Sequence, residues 1–292
     1  MNLVIAATSS VAIPTIERLR SEHSTLLITM PDSRSGRGRS LTPSEVAMKY
    51  PDALKPENEA ELSELLVGKD LLLTIGYGRI LKRATLSIPK YGGINLHFSL
   101  LPKWRGAAPV QRCIEAGDEK SGVTVFQMDS GMDTGPIWHQ IEYEIPRDAT
   151  SSTLFRTLAD IGSDAVINAI QKIVSGGGPM NQVGEPTYAA KITKSECQID
   201  WNTPAIEIDR KIRAFGENPG VTTLIRGSIL KLNEVSQTDI QLPPSCIDEQ
   251  GRVGTGTTAL QLKMVTPAGK RVMNVRDWLN GFKPIPGERF ES

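Results

Sequence analysis

The sequence predicts an α/β protein in two parts, a doubly wound parallel sheet followed by a small β barrel. Three observations carry the prediction. Strand-length apolar runs alternate with helix-like segments through the first two thirds of the chain, the pattern of a parallel sheet wrapped by helices. The run Ser175-Gly176-Gly177-Gly178-Pro179 then stops the last long helical pattern and marks a linker. Beyond it the periodicity shortens to alternating segments with turn residues at Gly220, Gly227, Pro243-Pro244, Gly251, Gly254, Gly256 and Gly269, as in a small barrel. A length of 292 residues fits two domains at roughly 150 residues each. The expected division is a first domain over 1–186, a connecting segment over 187–204 and a second domain over 205–292.

In chain order, the run at 3–6 has the length of a buried strand, and 11–21 follows as a helix capped by Ser9 or Ser10. The first sixteen residues carry no charged side chain, but no Lys or Arg precedes them and Pro14 interrupts the run, so they do not read as a signal peptide. Strands are expected at 26–29, 71–75, 94–97 and 123–128. Helices are expected at 43–50, with Thr42 as cap and Pro43 in the first turn, and at 58–66, 79–86, 109–116 and 150–174. One further helix, 205–215, opens the second domain.

Thirty-three Lys and Arg balance thirty-three Asp and Glu, so a nucleic acid would have to be held by a local basic cluster. The second domain, with twelve basic and ten acidic residues, has an excess of only two. Cys113, Cys197 and Cys246 are scattered, which argues against a disulfide framework and against a structural zinc site and suits a reducing cytoplasm. No run of about 18 apolar residues offers a membrane span.

Alternate side chains of a strand share a face, so Asn95 and His97 point the same way. They lie at the carboxyl end of an expected parallel strand, where open α/β sheets place their sites. Taken alone, the pair also fits two satisfied polar residues near a sheet edge. The stretch SLLPKWRGAAP from Ser99 to Pro109 puts an apolar bend, the Trp104-Arg105 pair and a helix start directly afterwards. It suits the wall of a flat aromatic ligand and, equally, a proline-stiffened connection. The Gly-rich loop MDSGMDTGP, from Met128 to Pro136, carries Asp133, which by itself reads as a turn residue bonding its own backbone. Arg34, Arg37 and Arg39 stand together in an acid-free stretch that reads as an exposed mobile loop.

Together, the Asn-x-His strand, the Ser99-Leu100-Leu101-Pro102 loop with Arg105-Gly106 after it, and Asp133-Thr134-Gly135 resemble the signature of the formyltransferase family that uses 10-formyltetrahydrofolate. The likeness extends to PDSRSGRGRSLTP at 31–43, TYAAKITKSECQIDW at 187–201, RKIRAFGENPGVT at 210–222 and DWLNG at 277–281. It implies a Rossmann-like first domain and an OB-like C-terminal barrel. By that resemblance, Asn95, His97 and Asp133 occupy the positions of the catalytic triplet. Ser99, Leu100, Leu101 and Pro102, with Tyr77, Arg79, Ile80 and Leu81, match positions lining the folate pocket. Arg34, Arg37 and Arg39 match the loop that reaches the acceptor end of a tRNA, where arginines contact phosphates and bases.

The acceptor so implied is the α-amino group of methionyl initiator tRNA, in translation initiation; the alternative is a nucleotide-linked amino sugar or another small amine. The resemblance further implies 10-formyltetrahydrofolate as co-substrate, no metal, no membrane or DNA partner, and a cytoplasmic monomer. The chain departs from the family pattern at three places. Phe98 stands where a small residue is usual and would narrow the folate pocket, Lys103 replaces an Arg, and Ala6-Ala7-Thr8-Ser9-Ser10 replaces Gly-Thr-Pro.

The chemistry asks for a donor aimed at a developing oxyanion, an acceptor for the amine proton and a proton for the departing nitrogen. Asn95 and His97 suit the donor roles. Asp133, in contact with His97, would orient the imidazole, favour its charged form and take the amine proton through water. Neither GxxxxGK[ST] nor GxGxxG occurs at the first strand, so ATP and dinucleotide binding have no support. A single Asp-Thr-Gly inside an α/β pattern does not make an aspartic protease.

Overall fold

Two largely apolar runs of the first part become neighbouring strands inside a sheet. In the computed structural model, which describes residues 1–35 and 40–291, the elements of the first part are β1 (Asn2–Ala7), α1 (Ile13–Glu22), β2 (Ser24–Ile28), β3 (Ser33–Ser35), β4 (Ser40–Thr42), α2 (Glu45–Lys49), α3 (Glu59–Leu66), β5 (Leu71–Ile75), α4 (Arg83–Leu86), β6 (Gly93–His97), β7 (Arg105–Gly106), α5 (Pro109–Ala116), β8 (Lys120–Gln127), β9 (Ile137–Glu144), α6 (Ser151–Val174) and β10 (Tyr188–Ala189). Six strands pair in the order β2-β1-β5-β6-β8-β9. β5 is buried along its whole length and β1 along all but its first residue, as parallel strands covered on both faces must be.

Strands β2, β1, β5 and β6 run parallel, whereas β8 pairs antiparallel with β6 and β9 antiparallel with β8. Helix alternation alone suggested parallel strands throughout. The loop 128–136 that joins β8 to β9 contains no helix, and only an antiparallel pair can be joined so directly. β9 itself was not among the expected strands, although its buried and exposed residues alternate as an edge strand's do.

Register sorts the side chains by face. Val4 pairs with Leu72 and Leu72 with Gly93, while Ala6 pairs with Thr74 and Thr74 with Asn95. Val4, Ala6 and Leu72 therefore share a face with Asn95 and His97. Leu62 and Leu66 of α3 and Leu86 of α4 pack on that face. The opposite face carries Leu96, which lies so close to Gly162 of α6 that a Cβ there would meet it at 2.8 Å.

Several expected boundaries move for local reasons. α2 is capped by Ser44, whose Oγ accepts from the Ala47 N–H at 3.0 Å, and not by Thr42, which lies in β4. Ser9 precedes a short 3₁₀ turn at Ser10–Ala12 without a side-chain cap. α4 begins at Arg83 rather than at 79, and the Arg79 guanidinium donates instead to the carbonyls of Pro56 and Glu57, both at 3.0 Å.

The chain divides into two units. The first comprises Met1–Pro109, Lys120–Glu144 and Leu154–Ala189, and the second Val110–Glu119, Ile145–Thr153 and Ala190–Ser292. The second unit holds α7 (Ala205–Phe215), β11 (Val221–Ile225), β12 (Ser228–Gln237), β13 (Arg252–Val253), β14 (Leu260–Pro267), β15 (Met273–Asn274) and α8 (Val275–Phe282). Its strands form a curled antiparallel half-barrel in the order β11-β12-β14-β13, with β15 on β14. Arg226 and Gly227, both at positive φ (49° and 68°), make the tight hairpin between β11 and β12. Bulges at Leu232–Val235 bend β12. Among the described residues no helix is long and apolar enough to cross a membrane.

Candidate active site

Asn95 and His97 leave β6 on one face, as their spacing predicts. The Thr74 hydroxyl on neighbouring β5 donates to Asn95 Oδ1 at 2.8 Å. That contact fixes the amide's orientation and leaves its Nδ2 hydrogens as donors.

His97 is 6% exposed and its environment is anisotropic. Nε2 lies 2.9 Å from the Trp104 carbonyl oxygen. A carbonyl only accepts, so Nε2 carries the hydrogen, and in the neutral ring Nδ1 is the bare nitrogen. Nδ1 faces Asp133 Oδ2 at 3.8 Å. The edge of Phe126 closes another side, with ring centroids 6.4 Å apart. Burial pushes the His97 imidazole below its ordinary value, against the Asp133 carboxylate and the Trp104 carbonyl, which both raise it.

Asp133 reaches this pair because its loop is held from within. The Asp129 carboxylate accepts from the Gly131 N–H at 3.0 Å and from the Thr134 hydroxyl at 2.7 Å, and Gly135 packs where a Cβ would strike the Gln127 carbonyl. Asp133 itself sits at φ +55°, in the left-handed region. Its Oδ2 also accepts from the Gly106 N–H at 2.8 Å, so one oxygen serves both β7 and the imidazole. The Asp-Thr-Gly motif thus has a structural share, Thr134 and Gly135 shaping the turn and Asp133 facing the ring.

The loop after β6 is tied down by its backbone. Ser99 Oγ donates to the Lys103 carbonyl at 2.6 Å, and Thr124 Oγ1 donates to the Ser99 carbonyl at 2.6 Å. Leu101 packs with Phe126 and Ile137, and Pro102 is buried beside it. Leu100 alone of the four keeps partial exposure. The 77–81 segment follows β5, whose Thr74 touches Asn95. Leu81 and the Tyr77 ring join the apolar cluster on that face, while Ile80 is 96% exposed. Phe98 does not point into this site: it lies on the opposite face of the strand from His97 and packs edge-to-face on Phe155 of α6 at 5.8 Å. It therefore does not narrow the pocket on that face. Arg34 is exposed in β3, which pairs with β4; Arg37 and Arg39 lie outside the described residues.

The family model described as formyl transferase matches residues 1–170, and that described as formyl transferase, C-terminal domain, matches residues 191–283. The chain belongs to the formyl transferase family. It is 39% identical over 317 aligned positions to the methionyl-tRNA formyltransferase of Corynebacterium glutamicum (strain R), covering 100% of both chains. It is 40% identical to that of Mycobacteroides abscessus, over 96% of this chain and 97% of the relative. Among solved structures it is similar to HypX from Aquifex aeolicus in complex with tetrahydrofolic acid, with a TM-score of 0.70 at 17% identity, over 99% of this chain. The match covers 50% of HypX, so the chain spans about half of that protein's length, and at this identity the likeness is one of fold.

As a formyl transferase the protein is an enzyme, and its family draws on folate-derived formyl donors. Within the expected folate segment, the Tyr77 hydroxyl and Arg79 Nη1 are buried without a hydrogen-bond partner. Three contributors escaped the sequence reading. Thr74 orients Asn95, the Trp104 carbonyl selects the His97 tautomer, and Gln182 bonds the Asp133 loop. Thr74 was legible in principle, as the one polar residue of the apolar strand β5; the others depend on how the chain comes together.

Proposed function

We propose that the protein transfers the formyl group of 10-formyltetrahydrofolate to the α-amino group of methionyl initiator tRNA, for translation initiation in the cytoplasm, acting as a monomer. The observation that carries this is the Asn95, His97 and Asp133 arrangement in a chain whose full-length relatives bear the name methionyl-tRNA formyltransferase. In this reading the loop 76–82 and the Leu100 region receive the folate, and Arg34, exposed in β3, meets the tRNA together with Arg37 and Arg39 of the same stretch of sequence.

Of the two donors expected from sequence, Asn95 is the one with hydrogens left for an oxyanion, since His97 Nε2–H is engaged by Trp104. Its amide would stabilise charge developing on the formyl oxygen as the amine's lone pair closes on the carbonyl carbon, an effect worth about 10²–10³ in rate. The amine must shed a proton as the new C–N bond forms. The bare Nδ1 of His97 is the acceptor, and the Asp133 carboxylate, 3.8 Å away, compensates the imidazolium charge. When the bond from the carbon to the folate nitrogen breaks, that nitrogen takes the same proton, and His97 returns to neutral. Burial suits this role, because it keeps the resting ring neutral at neutral pH.

The test is direct: incubate the protein with labelled 10-formyltetrahydrofolate and each of three acceptors, methionyl initiator tRNA, methionyl elongator tRNA and a nucleotide-linked amino sugar. Labelled formylmethionine on the initiator alone is the expected result. Transfer to the amino sugar at the greater rate would overturn the acceptor assignment.

A further inference from the structure

Gln182 lies between α6 and β10, outside every motif of the signature, yet its side chain is bonded at both ends. Nε2 donates to the Asp133 carbonyl at 2.8 Å and to the Gly135 carbonyl at 2.9 Å. Oε1 accepts from Arg105 Nη2 at 2.6 Å and Nε at 3.2 Å. The amide's orientation is dictated by its partners, since a guanidinium only donates and a carbonyl only accepts. The segment carrying it is anchored on either side. Met180 and Ile137 exchange backbone hydrogen bonds at 2.6 and 2.8 Å, and the Thr187 carbonyl accepts from the Arg105 N–H at 2.9 Å.

Two consequences follow for Asp133. A non-glycine residue at φ +55° persists only where its surroundings over-determine it, and Gln182 grips its carbonyl and the one two residues later. Arg105 is the cation next to Gly106, whose N–H already bonds the Asp133 carboxylate, and Gln182 holds its guanidinium. We propose that Gln182 is a positioning residue, its amide fixing the Asp133 turn and restraining Arg105 so that the Asp133 carboxylate faces His97. The proposal rests on the roles assigned above to Asp133 and His97. No other side chain of similar length does this work: Glu has no donor for the two carbonyls, and Lys no acceptor for the guanidinium.

The groups around the His97 ring make the effect readable. Among the described residues Asp133 is the charged group facing it, β8 contributes the Phe126 edge, and the loop after β6 contributes the Trp104 carbonyl. If the carboxylate swings away, the ring loses its charge partner.

The experiment compares Gln182→Met, Gln182→Glu and Asp133→Asn with the unmodified enzyme. Steady-state kinetics use 10-formyltetrahydrofolate and methionyl initiator tRNA, and the His97 ring is titrated by NMR in the folded protein, its signals identified with His97→Gln. Both Gln182 variants should lose kcat by about tenfold or more while each KM stays within about threefold, because the loss is one of alignment at the reacting groups. The His97 midpoint should fall by about 0.5–1 pH unit in Gln182→Met, as for a partly withdrawn charge. Normal kcat and an unmoved midpoint in Gln182→Met, beside a disabled Asp133→Asn, would overturn this inference alone. Normal turnover in Asp133→Asn would overturn the site reading and this inference with it. Full activity in Gln182→Glu with loss in Gln182→Met would show that only the bond to Arg105 matters, and would overturn the role given to the amide hydrogens.

Discussion

At His97, burial and a neighbouring carboxylate pull in opposite directions, and burial is the larger influence. The ring's folded pKa lies below its ordinary value of about 6.5, so below that value the unfolded chain binds a proton more readily than the folded one. The stability tied to a neutral His97 is present above pH 6.5 and is lost as the pH falls through the lower, folded value. The unmodified protein should therefore lose melting temperature between pH 7 and 5 more steeply than His97→Gln. His139 is lowered too, by burial first and then by Lys172, but it is common to both proteins and drops out of the difference. Parallel melting curves against pH would show that the imidazole is not held neutral by burial. In the proposed mechanism the same residues set the rate. Asn95→Ala, His97→Ala and Asp133→Ala should each lower kcat by about 10²-fold or more, and paired changes should fall far short of the product because the three act together. Steady-state kinetics at saturating donor and tRNA check this, and near-normal turnover in His97→Ala would remove it from the mechanism.

Among the elements, the pairing of β10 on β7 shapes the site from outside the main sheet. The N–H groups of Ala107 and Ala108 donate to the Ala189 carbonyl at 2.8 and 3.2 Å, and the Trp104 N–H donates to Thr187 Oγ1 at 2.9 Å. The strap thereby fixes the segment whose Trp104 carbonyl and Gly106 N–H touch His97 and Asp133. Gly106 has no alternative here. Its φ is +120°, and a Cβ would sit 2.8 Å from the Ala189 carbonyl oxygen. Gly106→Ala should cost about 1–3 kcal/mol of stability and lower turnover as well, since the N–H that holds Asp133 must move. Denaturant titration and kinetics measure the two effects together; a variant with unchanged midpoint and kcat would show that the strap does not constrain the site. The loop after β6 was expected to offer an apolar wall to the folate, yet Ser99, Leu101 and Pro102 are turned inward, and a charge at Leu101 would strike the Phe126–Ile137 cluster before it reached any ligand.

For the molecule as a whole, the problem is that a formally neutral protein has to hold a polyanion. With no global attraction, affinity must come from a few local contacts, and each phosphate neutralised contributes a salt slope of about −0.7 to −0.9 in log K against log salt. Arg37→Ala and Arg39→Ala should each reduce the magnitude of that slope, lower kcat/KM for the tRNA and leave folate affinity unchanged. Unaltered slopes in binding measured at several salt concentrations would assign the arginines no part in recognition. Much of the rest was written in periodicity. The buried strands β1 and β5 are apolar except for Asn2 and Thr74 because parallel strands are covered on both faces, and the two-residue spacing of Asn95 and His97 puts them on one face in any strand. That spacing also puts Phe98 on the other face, against Phe155, and away from the expected pocket. The antiparallel course of β8 and β9, the His97 tautomer chosen by the Trp104 carbonyl, and the grip of Gln182 on a turn 49 residues earlier were not legible. The sequence by itself determined which strands form the buried middle of the sheet, which face Asn95 and His97 share and which groups are available for chemistry, because these follow from local geometry and polarity. Tertiary structure alone decided which groups meet, because a contact across many residues depends on strand direction and on how loops close, and no local period records either.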